Sequence, residues 1–300
     1  MIRLDKTYSR YFISILAHIY PPSMSVLILT IIILIGAYVA GLVGSLTGLG
    51  GGVVIIPLLT ILLHVDIHYA IGASLISVIA TSSGSAAAYV KEGITNMRLG
   101  MFLEIATTTG AITGAIIARY LPVHYIAILF GLVLIFSAAM SLRKKVERIE
   151  QYKSKLAEKL SLNSSYPNGD VDVKYGVNNV GGGFVMMIFA GVMSGLLGIG
   201  SGALKVVAMD GIMGIPFKVS TTTSNFMIGV TAAASAVVYM QRGYIDPGLA
   251  MPVVIGVLLG AFTGSKILVH TQSNKLRYFF AVIVTFLAVQ MIYKGVTGSL

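Results

Sequence analysis

The chain has no cysteine and no tryptophan, and only 11% of its 300 residues are charged. Without cysteine there is no disulfide, no thiol chemistry and no thiolate metal site, so the redox compartment leaves no mark. Without tryptophan, an interfacial aromatic belt falls to the 15 tyrosines. The scarcity of charge excludes a soluble globular chain, where about 25% is usual. Of the 32 charged residues, 4 fall in residues 1–23 and 13 in 143–179, which leaves long stretches almost free of charge. What is abundant points the same way: 56% of residues are hydrophobic and a further 34 are glycine, with a mean hydropathy of +0.89. The fold class is therefore all-α and polytopic, an integral membrane protein. The formal charge of +10 reads as membrane topology and contact with anionic lipid, not as a nucleic-acid surface.

Arg3, Lys6 and Arg10 precede an apolar stretch, as in a signal peptide, but the small-residue cleavage signature is missing and Pro21-Pro22 interrupts. Leu4, Tyr8, Tyr11, Phe12, Ile15 and Ile19 recur at helical spacing, so residues 1–23 are expected to lie on the membrane surface as an amphipathic helix. Apolar runs of spanning length, about 20 residues, cover 26–44, 69–90, 99–118 and 123–142, and then 184–197, 219–240, 249–268 and 276–293. Two shorter pieces, 53–63 and 203–215, each follow a glycine cluster and read as half-helices. Residues 24–142 and 182–300 thus form two transmembrane repeats of about four helices plus a broken half-helix, giving 8–10 membrane segments. Between them, 143–181 is a basic connector. Its first part carries Val146, Ile149, Tyr152, Leu156 and Leu160 at helical spacing, whereas Ser161–Asp170 has linker composition.

The halves repeat. GLVGSLTGLGGG at 41–52 aligns without a gap to GVMSGLLGIGSG at 191–202, with five identities. Ser/Thr-rich helices follow, in which Gly72–Ser77 is matched to Ser220–Asn225, and each ends in Tyr-x-x-x-Gly, at Tyr89/Gly93 and Tyr239/Gly243. Gly110-x-x-x-Gly114 is matched to Gly256-x-x-x-Gly260. With four crossings per half and a cytoplasmic N-terminus, 15 of the 21 basic residues fall on the cytoplasmic side. That count favours halves in parallel orientation, with N-terminus and connector both cytoplasmic. The alternative is five crossings per half and an inverted repeat, an arrangement common in transporters.

A glycine run costs helix stability, roughly 1 kcal/mol per residue relative to alanine, so a cluster such as Gly48–Gly52 or Gly198–Gly202 needs a purpose. Close helix packing accounts for the isolated pairs. The clusters read as breaks that expose N–H groups at the start of a half-helix, where partial positive charge attracts anions. The expected donors are Gly50, Gly51 and Gly52 in one half and Gly200, Ser201 and Gly202 in the other. Lys205, in the first turn of the second half-helix, is disfavoured by the helix dipole and requires a negative partner. That partner is either Asp210 or Glu104, or the transported anion itself. Thr221, Thr222, Ser224 and Asn225, with Ser74 and Ser77 opposite, complete a set of small donors able to replace the hydration shell of an oxyanion, although such hydroxyls commonly bond to their own helix. Glu104 and Asp210 are the candidates for proton coupling. The five histidines fall at expected helix ends or loops, and no His-Glu-x-x-His, Gly-x-Ser-x-Gly or Walker A pattern is present. Gly198-x-Gly200-x-x-Ala203 lacks the strand and acidic residue of a dinucleotide site. Nothing in the sequence calls for a cofactor, a metal or an enzymatic activity.

With GLVGSLTGLGGGVVIIPLL at 41–59 and GVMSGLLGIGSGALKVVAM at 191–209, the chain resembles the TauE/SafE sulfite exporter family, also called the toluene sulfonate uptake permeases, over residues 25–296. The resemblance implies a carrier of sulfite, sulfonates or related organosulfur anions in the cytoplasmic membrane of a prokaryote. Its partners would be the small sulfur anion and membrane lipid, with a homodimer left open. An inside-negative potential favours export of a monoanion by about 2.3 kcal/mol per 100 mV, so export needs no coupling ion. An anion channel and a proton-coupled uptake permease are the rival readings.

Overall fold

The computed structural model describes residues 26–47, 51–91, 93–142, 154–168, 171–270 and 273–298. The expected surface helix at 1–23, Gly50 and the first part of the connector lie outside them. In the first half, the elements are α1 (Val26–Thr47), α2 (Gly52–Pro57) with a π-helical turn (Leu58–Leu62), α3 (Ile67–Lys91), α4 (Met97–Ala118) and α5 (Val123–Leu142). The connector holds α6 (Lys155–Lys159) and strands β1 (Ser164–Asn168) and β2 (Val171–Tyr175). The second half repeats the pattern with α7 (Val180–Leu197), α8 (Gly202–Val206) with a π-helical turn (Val207–Ile212), α9 (Phe217–Gln241), α10 (Pro247–His270) and α11 (Ser273–Thr297). The eight long helices fall on the eight apolar runs. Their ends follow local chemistry: Asn96 caps α4 by accepting the Leu99 N–H at 3.0 Å, and Gly198 ends α7 in the left-handed conformation, φ 68°. Six of the helices are long and apolar enough to cross a membrane over their described residues. Leu27, Ile35, Met101, Ile105, Phe262 and Phe286 lie exposed on their outer faces, as lipid contact requires.

Corresponding helices begin 150 positions apart, at Ile67 and Phe217 and at Met97 and Pro247. Packing exchanges partners between the halves: α1 packs on α10, and α4 on α7. Glycines make both seams. A Cβ on Gly110 or Gly114 would strike the carbonyl oxygens of Ile188 and Val192, and one on Gly256 or Gly260 those of Leu34 and Tyr38. The equivalent contacts are Gly110 on Ile188 and Gly260 on Tyr38, so Gly110 corresponds to Gly260 and not to Gly256. Pairing Gly110 with Gly256 is one helical turn out of register. In the Ser/Thr-rich helices the pairing of Gly72–Ser77 with Ser220–Asn225 is two residues out of register, and the structural equivalent of Ser74 is Ser224.

The halves are inverted, not parallel. Tyr244, just past α9, stacks on His68 at the start of α3, with ring centroids 5.0 Å apart. Farther along α3, Ser82 Oγ donates to the carbonyl of Asn225 near the start of α9 at 2.5 Å. Equivalent helices α3 and α9 therefore run antiparallel. So do α5 and α11, where the glycine at 131 meets Ala288 and that at 295 meets His124. By the seam contacts α1 runs parallel to α10, and α10 packs on α3 starting from the same end, beside Tyr244. Helices α1 and α3 thus share a direction, and the glycine-broken segment between them must carry the chain back. Each half traverses the bundle five times, an odd number. The start of α1 and the connector consequently lie at opposite ends, correcting the expectation that both share one face. The broken segment is a traverse in its own right, so four crossings per half do not describe the bundle.

Part of the connector departs from linker behaviour. β1 and β2 pair antiparallel with Asn168 opposite Val171, so the strand ends flank Gly169-Asp170, a dipeptide that favours tight hairpin turns. Leu162, Tyr166, Tyr175 and Val177 bury against Leu99, Leu103, Met209, Met213 and Val219. Asn96 Nδ2 donates to Leu162 O at 2.9 Å and to Tyr175 Oη at 3.0 Å. The hairpin therefore docks on the end of the bundle where α4 and α9 begin. Because the chain lacks cysteine, single substitutions report sidedness cleanly. Ser165→Cys in β1 and Gln241→Cys at the end of α9 are expected to react with an impermeant maleimide from opposite sides of the membrane. Labelling of both from one side would contradict the inverted arrangement.

Candidate functional site

The two glycine breaks meet where α3 crosses α9. Gly52 begins α2 so close to Ser74, Val78 and the Gly198 carbonyl that no side chain fits there. Ser74 Oγ donates to Gly198 O at 2.8 Å, and its structural equivalent Ser224 donates to Gly202 O at 3.2 Å. The second break is sharp: Gly198, Gly200 and Ser201 have φ of 68°, 70° and 48°. Glycine adopts this region freely, but Ser201 does so at a cost. The Gly51 carbonyl accepts from Val54 and Ile55, and the Ser201 carbonyl from Lys205. The N–H groups of the first turns, including those of Gly202 and Ala203, have no partner within their own helix. Ser201 Oγ is buried without a hydrogen-bond partner. It lines a cavity of about 10 Å³ with Val53, Val133, Ser137, Ile199 and Leu204, at the limit of holding one water.

Lys205 is fully buried. Its Nζ donates to Thr231 Oγ1 of α9 at 2.5 Å, and Thr231 in turn donates to Glu104 Oε1 of α4 at 2.7 Å. Thr108 adds a second donor to the same oxygen at 3.1 Å. Glu104 Oε2 is buried with no hydrogen-bond partner. The carboxylate that answers Lys205 is therefore that of Glu104, reached through a threonine and not by direct ion pairing. Asp210 lies half-buried on the π-helical turn that follows α8. The exchange of α4 into the second half is what carries Glu104 there. Helices α4 and α9 run parallel, tied by Asn96 to Thr223 at 3.1 Å, Glu104 to Thr231, and Ala115 O to Arg242 at 2.8 Å.

The charged chain breaks the pseudo-symmetry. At the equivalents of Lys205, Thr231 and Glu104 stand Ile55, Thr81 and Val254, so one side of the bundle is apolar where the other is ionic. Not every expected donor converges. Thr221 bonds Phe217 O, Thr222 bonds Lys218 O and Val219 O, and Ser77 bonds Ser74 O, each within its own helix. Asn225 is buried on α9, its carbonyl taken by Ser82. Ser74, Ser201, Ser224 and Gly51–Gly52 sit at the breaks, beside Gly200 and Gly202. Thr231 was missed. Its signal is the spacing of Ser220, Ser224, Thr231 and Ser235, a hydroxyl stripe along one helix face at intervals of four and seven. All four are buried.

Apolar helices of crossing length around a buried ionic chain define a multi-pass α-helical membrane protein. The chain belongs to the family described as Sulfite exporter TauE/SafE, whose profile matches residues 21–291, a family of membrane transporters. It is 30% identical over 274 residues to the Probable membrane transporter protein YunE of Bacillus subtilis (strain 168), covering 89% of this chain and 98% of the relative. It is 27% identical to YdhB of the same organism, a probable membrane transporter protein, over 78% of this chain and 89% of the relative. Similarity extends to the archaeal Probable membrane transporter protein MJ0441 of Methanocaldococcus jannaschii, 22% identical over 80% of this chain and 86% of the relative. No solved structure matches.

Removing one member of a buried charge pair strands the other, typically at about 3–5 kcal/mol. Lys205→Met and Glu104→Gln are each expected to lower the thermal midpoint in detergent, and the double variant to recover most of the loss. Additive losses in the double variant would show that the two side chains are not coupled.

Proposed function

We propose that the chain is an alternating-access carrier of sulfite or short organosulfonates, with the anion held at the second glycine break. The observation that carries this reading is Lys205, a fully buried cation in the first turn of a half-helix. A helix start already favours negative charge, and a cation placed there strengthens that preference instead of neutralising it. Gly200, Ser201 and Gly202 would supply further donors, Ser201 through the Oγ that has no protein partner. Ser74, Ser224 and Gly51–Gly52 face them across the α3–α9 crossing. Thr221, Thr222, Ser77 and Asn225 would act by shaping α3 and α9, since the hydroxyls already bond within their own helices. The cavity at the breaks admits about one water, so loading requires the two packed units, α1–α3–α10 and α4–α7–α9, to rock about that crossing. Direction follows the gradients, with export whenever the cell interior accumulates the anion.

Basic residues orient the carrier. Among the described residues, Lys91, Arg98, Lys155, Lys159, Lys174, Lys218, Lys275 and Arg277 gather at the connector end. Arg119, Arg242 and Lys294, also among the described residues, belong to the other. The positive-inside bias then favours a cytoplasmic connector, with the start of α1 outside.

Reconstituted wild-type protein is expected to give saturable flux of radiolabelled sulfite. The Lys205→Met/Glu104→Gln variant keeps the site neutral and filled, and is expected to lose at least tenfold. Undiminished flux from that variant, shown to be folded, would remove Lys205 from the site.

A further inference from the structure

Resting on that reading of Lys205, we propose that Glu104 occupies the place of the transported anion and that each monoanion loads together with one proton, which moves onto Glu104. The buried ionic chain is neutral at rest, one ammonium and one carboxylate. A monoanion arriving at Lys205 would leave a net negative charge inside the bundle, where an uncompensated charge is strongly disfavoured. Taking up one proton at Glu104 restores neutrality. The geometry provides for that proton. Glu104 Oε2 is buried and without a hydrogen-bond partner, while Oε1 holds the donors from Thr231 and Thr108.

Thr231 is the positioning residue. Its hydroxyl has a single proton and two close acceptors, Glu104 Oε1 at 2.7 Å and Met227 O at 2.8 Å, with Thr107 Oγ1 a third at 3.4 Å. With Glu104 ionised, the proton points to the carboxylate and Lys205 is tied to it. With Glu104 protonated, the hydroxyl turns to Met227 O, and Lys205 is released to the anion. No covalent bond changes, and on unloading the proton and the anion leave together. The other titratable groups lie on the same and neighbouring elements. Helix α7 has none. On α9, Lys218 lies over the Tyr166 ring at one end, and Tyr239 lies near the other with Arg242 on Ala115 O. Asp210 lies on the π-helical turn, Tyr166 and Tyr175 in the docked hairpin, and His124 and Tyr125 at the start of α5. The apolar equivalents Ile55 and Val254 leave the pseudo-symmetric position without such an exchange.

The test uses the full chain in proteoliposomes with radiolabelled methanesulfonate, whose charge does not change with pH, and a pH-reporting dye inside. Wild type is expected to accumulate the anion up to about tenfold per unit of pH difference, to acidify the lumen as it does so, and to ignore an imposed potential. Glu104→Gln, which cannot take the proton, is expected to lose the pH-driven accumulation and to respond to potential. Thr231→Val is expected to weaken the coupling, and Thr231→Ser to restore it. Saturable wild-type flux that follows potential and not pH would overturn the coupling while leaving the anion site standing. No methanesulfonate flux from folded wild type, under either drive, would overturn the carrier reading itself and the proposal with it. The wild-type measurement decides even if the variants fail to fold.

Discussion

A lysine ammonium buried in an apolar bundle must be answered by negative charge, and much of this architecture can be understood as the means of answering it. Lys205 sits just past a break in the second half, and Glu104 is on a helix of the first. They meet because α4 leaves its own half and packs along α7 and α9. That approach is close enough only because glycines at 110, 114, 191 and 195 let backbone meet backbone, where any Cβ would collide with a carbonyl. The glycine seams, the exchange of helices and the ionic chain are therefore parts of one arrangement. Moving α4 outward by the width of a side chain would leave both charges stranded.

The same seam occurs twice, but the ionic chain only once. Inverted duplication gives the fold two equivalent broken segments, and substitution has made them unequal: apolar Ile55 and Val254 stand where Lys205 and Glu104 interact. Both halves contribute backbone breaks at the crossing of α3 and α9, while one half supplies the fixed charge. A symmetric scaffold with an asymmetric charge suits a carrier, because the two conformations reached by rocking can be near-equivalent in packing while a single anion is held.

Much of the fold was legible in the sequence because hydrocarbon imposes simple rules. Eight apolar runs became eight long helices, and the glycine clusters became breaks followed by short helices and π-helical turns. Orientation was not legible. Whether 53–63 and 203–215 return the chain across the bundle depends on which helices pack in parallel, and that is set by contacts such as Gly110 on Ile188, 78 residues apart. Repeat register slipped for a related reason, since small residues recur every four positions and match equally well one turn out of place. At the site, Lys205 and Glu104 stood out as charges amid apolar sequence, but Thr231 looked like any helical threonine bonding to its own backbone. It does bond there, to Met227, and also carries the link between the charges. The hairpin at 164–175 was hidden by its turn residues, which suit a linker equally well. Only burial of Tyr166 and Tyr175 against the bundle distinguishes the two.

The most direct test of the anion site is to locate an anion. A structure determined with bromomethanesulfonate, using the anomalous signal of bromine, should place the sulfonate against Lys205 and the first turn of α8, with the Lys205–Thr231–Glu104 chain parted. A sulfonate bound elsewhere, with that chain intact, would contradict the assignment of the site.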